Sequence, residues 1–178
     1  MTKDELDIKI NLLIVEANRW VGTKEEGNNA GQIVTMFQNW DGSPDHVSYC
    51  MAFVQFCLKN VDAQYSAVLG ECTKDRHLLE RSEHCLTVWN KSPLACRSDK
   101  PVEGSVVVWQ HGTSASGHTG IVTGLKMDSE FFTTIEANTS GGPGVERNGD
   151  GVYSRTRSVK GDGKMKVLGF LNPWGHPI

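Results

Sequence analysis

The sequence has no apolar run that approaches the roughly 20 residues a membrane-spanning helix needs. It also has no excess of basic residues. Eighteen Lys and Arg stand against 21 Asp and Glu, for a formal net charge of −3, whereas nucleic-acid-binding domains are usually strongly basic. The first residues carry Asp4, Glu5 and Asp7 in place of the basic region of a signal peptide. We therefore expect no membrane or nucleic-acid partner, and synthesis in the cytoplasm without a signal peptide.

Sequence motifs that bind cofactors are missing as well. The chain has no glycine-rich phosphate loop followed by Lys, and no dinucleotide fingerprint after a predicted strand. Residues 112–116 lack the closing Gly of a serine nucleophile elbow. The loop that starts at Glu146 has Arg157 where a calcium-binding loop needs a bidentate Glu. These absences predict a protein that works without a cofactor.

Cysteine is present in an odd number, five, so at least one thiol is free or bridges to another chain. Several cysteines and histidines in the middle of the chain are candidates for a zinc site: Cys72, His77, His84, Cys85 and Cys96. They include no Cys-x-x-Cys or His-x-x-x-His pair, which zinc sites typically use, so we expect no metal. Buried thiols or one disulfide remain the alternatives for these cysteines.

Helical patterns occupy the first part of the chain. A capping box formed by Thr2 and Glu5, followed by apolar residues at helical spacing, predicts a helix over residues 3–20. A short helix is predicted over residues 32–40, a longer one from Cys50 onward, and one or two more within residues 62–101.

The second part of the chain, from residue 102, has the pattern of strands. Short β-branched and aromatic runs alternate with glycine-rich turns, and they predict five strands at residues 105–109, 118–125, 131–139, 152–158 and 167–172. Helices followed by an antiparallel meander indicate an α+β fold, with N-terminal helices packed on a C-terminal antiparallel sheet. Since no linker divides the chain, we expect one domain over residues 1–178 that acts as a monomer.

Cys50 is the first candidate for chemistry. It is predicted to open an apolar helix, where unpaired backbone N–H groups and the helix dipole favour the thiolate. Such positions lower a thiol pKa from about 8.5 into the range of roughly 3.5–7.5. The alternative is a small buried side chain, which is the role expected for Cys57 seven residues later on the same helical stripe.

His118, Glu136 and Asn138 form the second candidate group. Residues of equal parity share one face of a strand, and the turn over residues 126–130 joins the two predicted strands that carry these side chains. An antiparallel register that pairs His118 with either Glu136 or Asn138 brings all three together. A carboxylate or amide there can accept the Nδ1–H of the imidazole and leave the other nitrogen to act as a base. The alternative is a polar, solvent-facing surface.

The order of these residues on a chain of helices followed by strands resembles the CHAP family of cysteine, histidine-dependent amidohydrolases and peptidases, in the papain-like superfamily that includes NlpC-type enzymes. The resemblance extends over residues 22–157, in the stretches 26–31, 49–54, 104–109, 117–122, 135–139 and 149–153. The sequence departs from the family pattern at Tyr49, Ser105 and Ala137, where Trp, Asp and Gly are usual. None of these departures removes a reactive group.

The resemblance implies a papain-like cysteine hydrolase that cleaves an amide bond of bacterial peptidoglycan, as an endopeptidase or an N-acetylmuramoyl-L-alanine amidase. It assigns Cys50 as nucleophile, His118 as base and later acid, Glu136 as the group that orients His118, and Asn138 as an assisting residue. A phage endolysin released through a holin lesion is the expected setting. The alternatives are a secreted interbacterial toxin, a protease or transglutaminase that acts on protein, and a binding module with a dead site.

Overall fold

The computed structural model describes residues 1–40, 46–70, 77–126, 130–141 and 149–175. Within these ranges the helices are α1 Lys3–Asn18, α2 Gln32–Asn39, α3 Cys50–Val68 and α4 Cys85–Lys91, followed by a short 3₁₀ helix at Leu94–Cys96. The strands are β1 Arg97–Ser98, β2 Val106–His111, β3 Gly117–Leu125, β4 Phe131–Thr139, β5 Gly151–Ser158 and β6 Met165–Leu171. The architecture is the predicted α+β class.

The helices begin where the sequence predicts. Thr2 accepts a hydrogen bond from the backbone of Glu5, whose carboxylate accepts one from the Thr2 backbone, and this capping box starts α1. Helix α3 buries the predicted stripe of Cys50, Phe53, Val54, Cys57 and Val61. Among the described residues, no helix is both long enough and apolar enough to cross a membrane.

The described strands form one antiparallel sheet in the order β1-β6-β2-β3-β4-β5. Strands β2 to β5 are the predicted meander. Strand β6 departs from it, because it returns across the sheet and pairs with β2. This pairing buries Met165, Phe170 and Leu171 and covers an edge of β2 that would otherwise present unpaired backbone groups.

The sheet contacts two apolar clusters. The larger cluster packs α1, α2 and α3 against sheet residues that include Val106, Ile121 and Ile135. The smaller one joins Trp109 and Phe132 with four other buried residues: Val107, Val122, Met165 and Phe170. Strands β3 and β4 both contact α3, so the two strands predicted to carry polar site residues pack against the helix that carries Cys50.

A buried ion pair ties the ends of the described chain to this core. The Lys9 ammonium donates to the Asp62 carboxylate at 2.6 Å, and both side chains are buried. The indole N–H of Trp174 donates to the same Asp62 oxygen at 2.9 Å. Because an unpaired buried charge is costly, the three groups hold α1, α3 and the segment after β6 together.

Candidate active site

Cys50 is the first residue of α3, as predicted, and its side chain is only 5% exposed. Tyr49 precedes the helix without a side-chain cap, so no polar side chain at the cap position takes up the free N–H groups of the first turn. Those N–H groups and the helix dipole favour negative charge at this end of the helix. The start of α3 therefore stabilises a thiolate at Cys50.

Strands β3 and β4 bring His118 against Glu136. The imidazole Nε2 lies 2.9 Å from Glu136 Oε2, and both side chains are buried. The ladder between the strands pairs Ile121 with Ile135 and Val122 with Thr134. This register is one of the two expected from the sequence. Continued along both strands, it places His118 opposite Asn138.

The nitrogen that faces the carboxylate differs from the one expected. The sequence interpretation had Nδ1–H donate to the acceptor, whereas the structure places Nε2 against Glu136. A carboxylate only accepts hydrogen bonds, so Nε2 carries the proton on this side. The strand geometry thus directs the far edge of the ring to the carboxylate and leaves Nδ1 for the thiol.

Glu136 is held by two further side chains. Arg157 on β5 donates from Nε to Oε1 at 2.7 Å and from Nη2 to Oε2 at 2.5 Å, and the Thr134 hydroxyl donates to Oε1 at 2.6 Å. Each carboxylate oxygen therefore accepts two hydrogen bonds. The bidentate guanidinium fixes the plane of the carboxylate and compensates its charge.

Arg157 was not among the predicted site residues; in the sequence it stands only where a calcium-binding loop would need Glu. A signal for it did exist, because an Arg at this point of a predicted strand is unusual if the strand faces the core. The register that pairs Arg157 with Phe132 places it beside the carboxylate, but that register was not derivable from the separate strand patterns.

Trp109 on β2 shields this polar group from water. Its ring lies nearly parallel to the His118 imidazole, with centroids 5.7 Å apart and an interplanar angle of 24°. The Arg157 guanidinium lies 5.7 Å from the centroid of the Trp109 ring. With Trp109 only 1% exposed, the imidazole, the carboxylate and the guanidinium interact in a medium of low dielectric, where charge pairs are strong.

The pKa shifts follow from these contacts. Burial alone would lower the pKa of His118, but hydrogen bonds to Cys50 and Glu136 outweigh it and raise the pKa to about 9. Burial would likewise raise the pKa of Glu136, but Arg157 and His118 lower it to about 2. A hydrogen bond from Cys85 lowers the pKa of the Cys50 thiol, burial opposes this, and His118 lowers it further. These directions favour a thiolate–imidazolium pair.

Asn138 lies at an irregularity near the end of β4. Its backbone is left-handed, with φ of 53°, at the break in the β4–β5 register between Glu136 and Thr139. Its side chain is buried, and its Oδ1 has no hydrogen-bond partner among the described residues. Asn138 lines one small pocket together with Cys50 and His118, so three of the four predicted residues share this space, and Glu136 reaches it through its hydrogen bond to His118.

Cys85, the first residue of α4, also lies at the site, although the sequence suggested only a zinc ligand, a buried thiol or a disulfide for it. Its sulfur lies 3.6 Å from the sulfur of Cys50, a contact between residues 35 positions apart that no local pattern indicates. Cys57 and Cys96 are also free and buried, and Cys72 lies outside the described residues. Within the described part of the chain, no group of three or more ligand side chains is placed to hold a metal ion.

An open groove leads to Cys50 and Cys85. Its walls come from the segment before α3, the start of α4 and the turn between β2 and β3, and its volume is about 700 Å³. The groove is lined by Asn29, His46, Val47, Ser48, Glu83, His84, Ala115, Ser116 and Gly117 in addition to the two cysteines. The groove gives a substrate access to the Cys50 sulfur.

Comparisons with protein-family models and with solved structures both gave matches. The family model described as "CHAP domain" matches residues 39–138. A solved structure titled "Crystal structure of a wild type endolysin LysIME-EF1" aligns with 18% identity and a TM-score of 0.42, and the alignment covers 94% of this chain and 65% of that one. This chain therefore spans less than two thirds of the length of that endolysin. The comparison with curated proteins found no match.

Proposed function

The chain belongs to the CHAP domain family, and from this membership we propose that it is a cysteine hydrolase that cleaves an amide bond of bacterial peptidoglycan. The proposal gives Cys50 the role of nucleophile and His118 the roles of base and acid. Glu136 orients His118, and Asn138 assists at the site. The observation that carries this assignment is the buried His118–Glu136 hydrogen bond in contact with a thiol at a helix start.

Catalysis then proceeds by acyl transfer. The Cys50 thiolate attacks the carbonyl carbon of the amide, and the Cys50 backbone N–H at the start of α3 donates to the oxyanion. The imidazolium of His118 gives a proton to the leaving amine, which departs and leaves a thioester. Neutral His118 next takes a proton from water as the water attacks the thioester, and the acid is released with the thiolate restored.

The Glu136 carboxylate acts through His118. It accepts a hydrogen bond from Nε2–H and so keeps Nδ1 directed at the sulfur. Its negative charge stabilises the imidazolium, which is the proton donor. Arg157 keeps the carboxylate in place. Asn138 lines the small pocket beside Cys50 and His118, and the proposal gives it an assisting role there.

We further propose that the enzyme reaches peptidoglycan from the cytoplasm, through a holin lesion as an endolysin does. The alternative is that the protein is exported as an interbacterial toxin with the same chemistry. The groove beside Cys50 gives a peptide of the cell wall access to the thiol.

Purified sacculi test the proposal directly. The wild-type protein should lower the turbidity of a sacculus suspension, and mass spectrometry of the released muropeptides should show a new amine and a new carboxylate at one amide bond. Cys50→Ser should abolish this release while the protein remains folded, because serine fits the space of cysteine.

Cys57→Ser is the matched control, since Cys57 lies on the same helix, is fully buried and lines neither the groove nor the small pocket at Cys50. It should keep its activity per folded molecule. Release of muropeptides by Cys50→Ser at the wild-type rate would remove Cys50 as the nucleophile. Sacculi that stay intact in the presence of folded wild-type protein would remove peptidoglycan as the substrate.

A further inference from the structure

The proposed nucleophile has a second thiol as its direct neighbour. The sulfurs of Cys50 and Cys85 lie 3.6 Å apart, about 1.5 Å more than the length of a disulfide bond. They approach across two different helices, α3 and α4. Both side chains are 5% exposed, and both line the same open groove. A small oxidant in the groove can therefore reach two sulfurs that already lie in contact with each other.

We propose that Cys50 and Cys85 are a redox pair, in which a peroxide converts the two thiols into a disulfide that blocks the nucleophile and a dithiol reverses the block. The existence of the pair depends only on the geometry of the two sulfurs. Its effect on activity rests on the proposed function of Cys50.

The chemistry balances in two steps. The Cys50 thiolate attacks one peroxide oxygen, so that an S–O bond forms, the O–O bond breaks, and the hydroxide that leaves takes up a proton as water. Cys85 then loses its proton and attacks the sulfenic sulfur of Cys50. The S–S bond forms, the S–O bond breaks, and the second oxygen leaves as water. Two thiols are oxidised, and one peroxide is reduced to two waters.

The surroundings of the two sulfurs fit their different roles. The side chains around Cys50 favour its thiolate, which is the form that attacks peroxide, whereas the hydrogen bond to Cys50 and burial both raise the pKa of Cys85. Cys85 therefore keeps its proton until Cys50 has been oxidised and no longer carries negative charge. Its role is then that of the resolving thiol, which protects Cys50 from irreversible oxidation.

The other described cysteines do not share these features. Cys57 is fully buried, and burial raises the pKa of its thiol. Cys96 is fully buried at the end of the short 3₁₀ helix and does not line the groove. They serve as internal references for reactivity within the same molecule.

The sequence makes the product easy to identify. Trypsin releases Cys85 in a peptide of residues 82–91 with no other cysteine, whereas the peptide of residues 25–59 contains both Cys50 and Cys57. In the Cys57→Ser variant, Cys50 is the single thiol of its peptide. A bond between these two peptides can then only join Cys50 to Cys85.

The experiment treats Cys57→Ser protein with a small excess of hydrogen peroxide and analyses a non-reducing digest by mass spectrometry. We expect the joined peptides, with a mass about 2 Da below the sum of the separate ones for the two hydrogens lost. Lytic activity on sacculi should fall in parallel with bond formation and return in full with dithiothreitol.

The Cys85→Ser and Cys85→Ala variants separate a redox role from a structural one. Without the resolving thiol, peroxide should drive Cys50 to its sulfinic and sulfonic forms, and dithiothreitol should no longer restore activity. Recovery as complete as in the parent would overturn the protective role of Cys85.

The joined peptides alone decide whether the redox pair exists. If they are absent after Cys50 has been oxidised, the redox pair is wrong even if sacculi are lysed. If they form but the untreated protein lyses no sacculi, the proposed function is wrong and the redox pair stands.

Discussion

The Glu136 carboxylate is fully buried, and its four hydrogen bonds come from three side chains, of which Arg157 supplies two. Such a charge is tolerated in a protein interior only while its partners remain in place. The position of the His118 imidazole therefore depends on Arg157, which touches neither the thiol nor, under the proposed mechanism, the substrate.

Arg157→Met tests this dependence. The variant leaves the Glu136 carboxylate without its cationic partner, and removal of one member of a buried ion pair costs roughly 3–5 kcal/mol of folding free energy. We expect the free energy of unfolding, measured in urea at neutral pH, to fall by that amount.

Lys160→Met is the matched control, because Lys160 pairs with Glu130 at the surface at 3.0 Å. Exposed pairs contribute about 0–1 kcal/mol, so this variant should unfold close to the wild-type midpoint. Equal effects of the two substitutions would show that Arg157 does not compensate a buried charge.

At the scale of elements, the sheet sets the spacing between its site residues. In β3, Gly120 lies beside Glu136, and a Cβ added at Gly120 would lie 2.6 Å from Glu136 Cγ. No real side chain tolerates that approach, so the position requires glycine for the carboxylate to reach His118.

Gly120→Ala should therefore displace Glu136 and lower kcat on sacculi by roughly 10²-fold, the effect of a misplacement near 1 Å. Gly124→Ala is the control on the same strand, because its Cβ would meet Thr133 Oγ1 at 2.8 Å, outside the site. It should reduce stability but leave kcat per folded molecule unchanged. A normal kcat in Gly120→Ala would contradict the role of the carboxylate.

The elements themselves were largely predictable from the sequence. The start of α3 at Cys50 and the bounds of β4 follow from hydrophobic periodicity and β-branched runs. What the sequence could not provide is the set of contacts between distant elements. The return of β6 to β2, the approach of Cys85 to Cys50 and the reach of Arg157 to Glu136 depend on packing between segments whose local patterns are independent of one another.

For the whole molecule, the buried ion pairs predict how stability changes with pH. The pKa of Glu136 is lowered to about 2. The stability that its charge contributes is therefore present above its ordinary pKa near 4.5 and is lost as pH falls towards 2. The pKa of His118 is raised to about 9. The stability that its charge contributes is therefore complete below its ordinary pKa of 6.5 and is lost as pH rises through 9.

A comparison of wild-type protein with His118→Gln isolates the second effect. The difference in urea midpoint between the two should be largest below about pH 6.5, shrink above it and vanish past about pH 9. A difference that stays constant from pH 6 to pH 10 would show that His118 is not held as an imidazolium in the folded protein.

The reactivity of Cys50 towards iodoacetamide at pH 6 tests the thiolate–imidazolium pair itself. Alkylation followed by peptide mapping should show Cys50 modified much faster than Cys57 in the same molecule, because the thiolate is the reactive form and an ordinary thiol with a pKa of about 8.5 is almost fully protonated at this pH. His118→Ala should slow the reaction at Cys50 substantially. If Cys50 in the wild-type protein is instead alkylated as slowly as Cys57, with or without His118, the pair does not exist and the proposed mechanism fails.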